Sequence, residues 1–283
     1  MNPEKNRENF HSDTRQVFGS ELGLNNFTTK LESISELEKH KFKIVEIFNR
    51  YGIVNIEFES HEEPNQQLLA LQEIFGSTKI HDRSDQDGVA EIKVSDKHPG
   101  YLGTSNEPHP LHTDGSYDDS PPAIVALRCN IPAQIGGLTQ LASAKALHDW
   151  LAKKDPEALR SLYERQAMQI SRAGKITTKS VFTREENRIK MSYRSDITAK
   201  FADNEPTHTA IDLIQNFLAD KNNIIEYKME AGQILITNNG SVLHGRTSFP
   251  ADDPRQMHRL FFDGKPKSKE ADLKLGFETD QTI

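Results

Sequence analysis

Gln233-Ile-Leu-Ile-Thr-Asn-Asn-Gly-Ser-Val-Leu-His244 decides the fold. Two short runs rich in β-branched and apolar residues, Gln233–Thr237 and Ser241–His244, flank Asn238-Asn-Gly240. Such runs favour strands, and an Asn-Gly pair between them predicts a hairpin turn. Moving outward, Ile224-Ile-Glu-Tyr-Lys-Met229 reads as a strand ended by Ala231-Gly232, and a last strand is expected from Arg255 to Phe262. The chain thus closes in strands.

Helices are expected earlier. Leu31 to Tyr51 carries apolar residues at roughly helical spacing, and Gln66 to Phe75 forms a second helix closed by Gly76. Gly52 to Phe58 between them alternates as a strand, and residues 77–108 read as short strands and turns. Pro121 to Asn130 predicts a strand buried on much of both faces, and Leu138 to Ala142 a shorter one after the turn Ala133-Gln-Ile-Gly-Gly137. Ser143 suits the N-cap of a helix carrying Leu147, Trp150 and Leu151, with Trp150 read as packing. A further helix is expected from Pro156 to about Ala167, strand pieces over 168–206, and a helix from Thr209 to Asp220. Helices early and in the middle with strands closing the chain predict a mainly β fold, a barrel or jelly roll decorated by α-helices. Residues 1–27 are polar and patternless, and read as an N-terminal arm. Residues 28–283 read as a single domain with a mixed helix and strand insertion at about 143–222.

Bulk properties narrow the function. The 283 residues carry 35 Lys and Arg against 42 Asp and Glu, a net charge of −7, with no concentrated basic stripe; nucleic acid is not expected as a partner. No apolar run approaches the roughly 20 residues that span a bilayer, so no membrane is expected either. Met1-Asn-Pro-Glu-Lys has no apolar core of a secretory signal, and Cys129 is the only cysteine, which fits a cytoplasmic protein. Cys129 reads as a small buried hydrophobe. A homo-oligomer is left open.

The chemistry lies in Pro110-Leu-His-Thr-Asp-Gly-Ser116. In an extended segment, residues two apart share a face, so His112 and Asp114 point the same way while Thr113 points away. His244, at the end of a distant strand, supplies a second imidazole. Two His and one carboxylate are the protein's share of an iron(II) site with open positions. The same set with one open position also makes a hydrolytic zinc site, and a silent jelly-roll binding protein is the other rival. Arg255 follows His244 across the turn Ser248–Pro254, near enough for its guanidinium fork to hold the far carboxylate of a diacid chelating the metal. Arg259 falls on the same side of that strand, among Leu260, Phe261 and Phe262, where a buried Arg needs an anionic partner.

Leu111-His-Thr-Asp-Gly, Ile135-Gly-Gly-Leu-Thr-Gln, Asn239-Gly-Ser-Val-Leu-His-Gly-Arg-Thr and Arg255-Gln-Met-His-Arg together resemble the taurine dioxygenase (TauD/TfdA) superfamily of iron(II)- and 2-oxoglutarate-dependent oxygenases. γ-Butyrobetaine hydroxylase and clavaminate synthase are among its members. The resemblance spans about residues 40–265 and implies a double-stranded β-helix core (jelly roll, cupin-like) decorated by helices. It implies Fe(II), 2-oxoglutarate and O2 as cofactors, with His112, Asp114 and His244 as iron ligands. Arg255 matches the partner of the distal carboxylate of 2-oxoglutarate, Thr139 the hydroxyl that assists it, and Arg259 a second Arg that meets substrate or supports the site. Because Asp114 is a carboxylate, where related halogenases carry a small residue, halogenation is not expected. The expected reaction is hydroxylation of an unactivated C–H bond of a small molecule, with release of succinate and CO2. Desaturation, cyclisation and epoxidation are alternatives with the same cofactors.

For the substrate, Asn106 and His109 precede the metal segment, Tyr117 and Asp118 follow it, and Arg194 interrupts the insertion in Met191-Ser-Tyr-Arg-Ser195. These residues would suit an amino acid or related zwitterion, with Arg194 on its carboxylate and Asp118 or Asp119 on its cationic end. Asp118-Asp119 before Pro121-Pro122 also reads as a solvated turn.

Overall fold

The structure, a computed structural model, describes residues 18–60, 62–95, 101–172, 174–266 and 272–281. Most of the expected N-terminal arm, residues 1–17, lies outside them. The described end of that segment is not loose. Phe18 and Phe27 are buried, and Phe27 meets Tyr51 edge-on at 5.0 Å.

The first half of the chain runs β1 (Thr28–Leu31), α1 (Leu37–Tyr51), β2 (Ile53–Phe58), α2 (Pro64–Ala70), α3 (Gln72–Phe75), β3 (Ala90–Ile92), β4 (His109–His112), β5 (Ile124–Ile131) and β6 (Thr139–Ser143). The insertion follows: α4 (Ala144–Lys154), α5 (Pro156–Ser161), β7 (Met168–Arg172), β8 (Lys175–Lys179), β9 (Phe182–Glu185), β10 (Arg188–Met191), β11 (Ala199–Phe201) and α6 (Glu205–Ala219). The chain closes with β12 (Ile224–Tyr227), β13 (Gln233–Asn238), β14 (Val242–Arg246) and β15 (Gln256–Phe262).

A six-stranded sheet, β1-β2-β13-β5-β15-β3, faces a four-stranded sheet, β12-β6-β14-β4. This is the jelly roll. Strand alternation sorts residues between two environments. In the larger sheet Val54, Ile56, Ile124, Ala126, Ile234, Ile236, Leu260 and Phe262 turn outward onto Ile44 and Phe48 of α1 and Leu68 of α2. Their neighbours Ile53, Leu235, Cys129 and Met257 turn inward to meet Leu141, Val242 and Ile225 of the smaller sheet. The outer face of the smaller sheet, with Leu111, Ala142 and Leu243, is covered by α4, α5, α6 and part of the insertion. Burying a side chain such as Phe48 completely contributes on the order of 1.5–3 kcal/mol. The helices thus close both outer faces and leave the space between the sheets for apolar packing at one end and polar chemistry at the other.

Several expectations shift. The helix predicted from Leu31 begins at Leu37, because Thr28–Leu31 pairs in parallel with β2 instead, Leu31 opposite Phe58. Gly52, at φ 76, then caps α1 in the left-handed conformation, its N–H donating to the Phe48 carbonyl at 2.7 Å. The helix predicted over Gln66–Phe75 starts at Pro64 and divides into two, and the one predicted from Pro156 ends at Ser161. Ser143 caps α4 as expected, accepting from the Ala146 N–H.

The Asn239-Gly240 hairpin is a correction. β13 pairs with β2 and β5, whereas β14 pairs with β4 and β6, so the two strands lie in different sheets. Gly240 is not in the left-handed region that a type I′ turn needs. The turn is a corner between sheets, and its Asn239 side chain has other work.

Candidate metal centre and co-substrate pocket

β4 delivers His112 to the inner face of the smaller sheet, and β14 delivers His244 opposite it in register. The two imidazole centroids lie 4.5 Å apart. Gly245, just past His244, allows the close pass of β4: a Cβ there would meet the His109 carbonyl oxygen at 2.8 Å. Beyond β4 the chain turns at Gly115, with φ 66, where a Cβ would sit 2.6 Å from Pro122. Asp114 is thereby swung back to the two imidazoles. Its Oδ1 lies 3.9 Å from His112 Nε2, and its Oδ2 lies 3.4 Å from His244 Nε2. Donor atoms of the three residues all fall within 4.8 Å of one another.

Asn239 fixes this turn. Its Oδ1 accepts the Asp114 N–H at 2.8 Å, and its Nδ2 donates to the carbonyls of Asp114 and Pro122, both at 2.9 Å. Asn239 is 3% exposed, so the bonds are shielded from water.

The donor set fits a divalent metal. His112 Nδ1 lies 2.8 Å from the Pro110 carbonyl, a contact that places its proton there and leaves Nε2 free as a ligand. Burial, with His244 alongside, pushes His112 down to about 3, so its imidazole is neutral. Burial opposes ionisation of Asp114, but the Arg259 guanidinium and His244 outweigh it and hold the carboxyl well below its ordinary value. Asp114 Oδ2 and His244 Nδ1 are buried without a hydrogen-bond partner. A carboxylate oxygen in that condition between two imidazoles is what a bound cation satisfies.

A cavity of about 680 Å3, partly open to solvent, joins these ligands to Thr139, Arg246, Arg255 and Arg259, with Val125, Leu127 and Leu235 as its apolar wall. Arg255 is 6% exposed, and its guanidinium donates no hydrogen bond to a described residue. Burial lowers its pKa. Thr139, on β6 of the facing smaller sheet, is buried and lines the same cavity. Arg246 is fully engaged: it donates to the carbonyls of Leu102, Ser105, Asn106 and Thr247 at 2.9–3.5 Å and braces the segment before β4. Burial, with Arg255 nearby, brings it down to about 10. Arg259 lines the cavity too and donates to Tyr101 Oη and Asp114 Oδ1, at 3.2 and 3.3 Å.

A second, smaller chamber, partly open to solvent, shares His109, His112, Asp114 and Arg259 with the first. Of the residues expected to meet substrate, His109, Tyr117 and Arg194 line it. His109 stacks on His112 with centroids 3.9 Å apart. Tyr117 Oη lies 2.7 Å from His81 Nε2. Arg194 is already bonded to Asp196. Asn106 lines neither space, its amide donating to the Phe249 carbonyl, and Asp118 lines neither. His81, Arg83, Tyr101 and Arg172 also line the second chamber, and sequence reasoning missed them. They come from separated, patternless segments that only the fold assembles. Asn239 was missed because its Asn-Gly context reads fully as a turn.

The family described as Taurine catabolism dioxygenase TauD, TfdA matches residues 12–261. No curated protein matches the chain by sequence. Among solved structures, an asparagine oxygenase in complex with Fe(II), 3-hydroxyasparagine and succinate superposes with a TM-score of 0.63 at 13% identity, over 83% of this chain and 93% of that one. The non-heme iron oxygenase OrfP, with Fe and α-ketoglutaric acid, gives 0.62 at 16% identity, covering 82% and 80%. PvcB, an Fe, α-ketoglutarate-dependent oxygenase from an isonitrile synthetic pathway, gives 0.62 at 19% identity, covering 89% and 92%. The likeness to these structures is one of fold. With the profile match across nearly the whole chain and the His-Asp-His cluster in its jelly roll, the chain belongs to the TauD, TfdA family of dioxygenases.

Proposed function

We propose that the protein is an iron(II)- and 2-oxoglutarate-dependent dioxygenase that hydroxylates an unactivated C–H bond of a small, amino-acid-like molecule, releasing succinate and CO2. One observation carries the reading: the His112, Asp114 and His244 donors and the unbonded guanidinium of buried Arg255 face one cavity. A hydrolytic zinc site has no use for Arg255. Bound iron(II), with 2-oxoglutarate and O2, supplies the oxidising power for the C–H bond.

The protein's share is binding and order. His112, Asp114 and His244 would hold the metal at the end of the cavity that Arg255 also lines. Arg255 takes the far carboxylate of 2-oxoglutarate through its fork, and the Thr139 hydroxyl lines the same cavity from the facing sheet to assist. Arg259 keeps Asp114 ionised and oriented. Val125, Leu127 and Leu235 keep water from one side of the co-substrate and strengthen the charge pairing there. Hydroxylation rests on Asp114, since a carboxylate ligand leaves no place for a halide; desaturation and ring closure differ only in where the substrate sits.

The test is anaerobic addition of iron(II) and 2-oxoglutarate, read by the visible charge-transfer band, followed by a substrate panel read by succinate release and product mass. Gain of one oxygen means hydroxylation, or epoxidation where the substrate carries an alkene, and loss of two hydrogens means desaturation or cyclisation. Tight stoichiometric zinc with no visible band would sink the proposal.

A further inference from the structure

Four arginines line the second chamber beside the metal ligands: Arg83, Arg172, Arg194 and Arg259. Two are neutralised, Arg194 by Asp196 and Arg259 by Asp114. The other two are not. Among the described residues neither Arg83 nor Arg172 has a carboxylate within salt-bridge distance, and neither side chain donates a hydrogen bond. Arg83 Nε is buried with no hydrogen-bond partner among the described residues. What holds them is aromatic: Arg83 lies over the Tyr101 ring at 3.5 Å, and Arg172 stands 5.1 Å from Tyr101 and 4.4 Å from Tyr117.

Among the described residues that line the chamber no other group supplies negative charge, and Asp118 acts on Arg172 only from outside that lining. The chamber's one carboxylate is Asp114, committed to the metal and Arg259. Burial lowers the pKa of Arg172, and the neighbouring Arg83 and Arg194 lower it further. Two like charges placed together at a half-buried site cost free energy unless an anion joins them. An ammonium group entering the chamber would find no counter-ion there.

We infer that the substrate is an oxyanion, with a carboxylate, sulfonate or phosphate group seated on Arg83 and Arg172 between Tyr101 and Tyr117, and that its charge is not balanced by an ammonium. This names the substrate class of the proposed oxygenase and rests on that reading. An amino-acid-like molecule whose nitrogen is acylated or otherwise uncharged, or one with an acidic side chain, meets the requirement. A plain zwitterion leaves the arginine pair short of charge.

The experiment titrates the full chain with inorganic sulfate at low ionic strength, by calorimetry, in wild type and in Arg83→Gln, Arg172→Gln and Arg255→Gln. Wild type takes up sulfate at two places, the Arg255 pocket and this chamber; R83Q and R172Q each weaken the chamber uptake at least tenfold, while R255Q removes only the other. Circular dichroism confirms that each variant is folded, and R172K recovers part of the affinity. Equal binding by R83Q, R172Q and wild type overturns the inference, as does no uptake by wild type or a loss confined to R255Q. In turnover, dicarboxylates and N-acyl amino acids stimulate succinate release, with KM raised at least tenfold in R172Q and kcat changed less. Stimulation by neutral zwitterions that survives in both variants overturns it too. The anaerobic 2-oxoglutarate band reports the oxygenase reading separately: its absence in wild type defeats that reading and leaves the sulfate result standing.

Discussion

Replacing Asn239 with Ala removes three hydrogen bonds from a side chain that is 3% exposed. It strands the Asp114 N–H and the carbonyls of Asp114 and Pro122. A buried group left without its partner costs about 1–3 kcal/mol, and water entering the vacated space recovers part of that. The expected loss is therefore about 3–5 kcal/mol, which at about 2–4 °C per kcal/mol lowers the melting temperature by roughly 6–20 °C. A second loss concerns the metal. Asn239 fixes the backbone on both sides of the Asp114 Cα, so the carboxylate loses its aim, and outer groups of this kind are worth about 10–100-fold in metal affinity. Urea denaturation of metal-free protein reads the first effect, and anaerobic iron(II) titration the second. A variant within about 1 kcal/mol of wild type would refute the hydrogen-bond account. Lost stability with unchanged iron affinity would refute the positioning role.

Three further outcomes are expected. Arg255→Gln weakens 2-oxoglutarate binding by about 1.5–3 kcal/mol, the worth of hydrogen bonds to a charged group, and an unchanged 2-oxoglutarate titration of the visible band would exclude that pairing. Iron(II), added without air at about a hundred times its dissociation constant, stabilises the fold by about 2.7 kcal/mol; His244→Ala abolishes the rise in melting temperature, and a chelator reverses it in wild type. Asp149 is brought down to about 2: burial opposes its ionisation, but bonds from His148, Lys145 and Thr279 outweigh it. Its folded-state pKa is lowered, so its contribution is present above about pH 4 and lost as pH falls toward 2. Asp149→Asn should flatten the acid limb of the stability profile, and an identical limb in both proteins would count against the assignment.

The clustering of His112, Asp114 and His244 was legible because chemistry and periodicity coincide. His-x-Asp in an extended segment must share a face, and His244 ends a strand whose alternation is plain. The jelly roll followed from strands at the end of the chain and from the family resemblance. What failed was pairing. The run Gln233–His244 fixes two strands but not their partners, and an Asn-Gly corner between sheets looks like a hairpin when the partners are unseen. The helix expected from Leu31 failed similarly, since the parallel pairing of β1 with β2 outweighs local periodicity. Arg83 and Arg172 could not be found at all, because one sits in an irregular segment and the other at the end of an insertion strand. Burial then separates Arg194, already matched by Asp196, from Arg172, which is not.

His112 and His244 come from the smaller sheet, with Asp114 just past β4, whereas Arg259 comes from β15 in the larger one and Arg255 directly precedes it. A ligand that touches both is a rivet through the sandwich. Loosening the sheets against each other by a fraction of an ångström would misalign co-substrate and metal before either sheet lost a single ladder bond. Activity should therefore fade ahead of secondary structure on heating, and bound co-substrate should stiffen the whole barrel rather than one wall. The substrate arginines, carried by segments outside both sheets, are free to vary without disturbing that rivet.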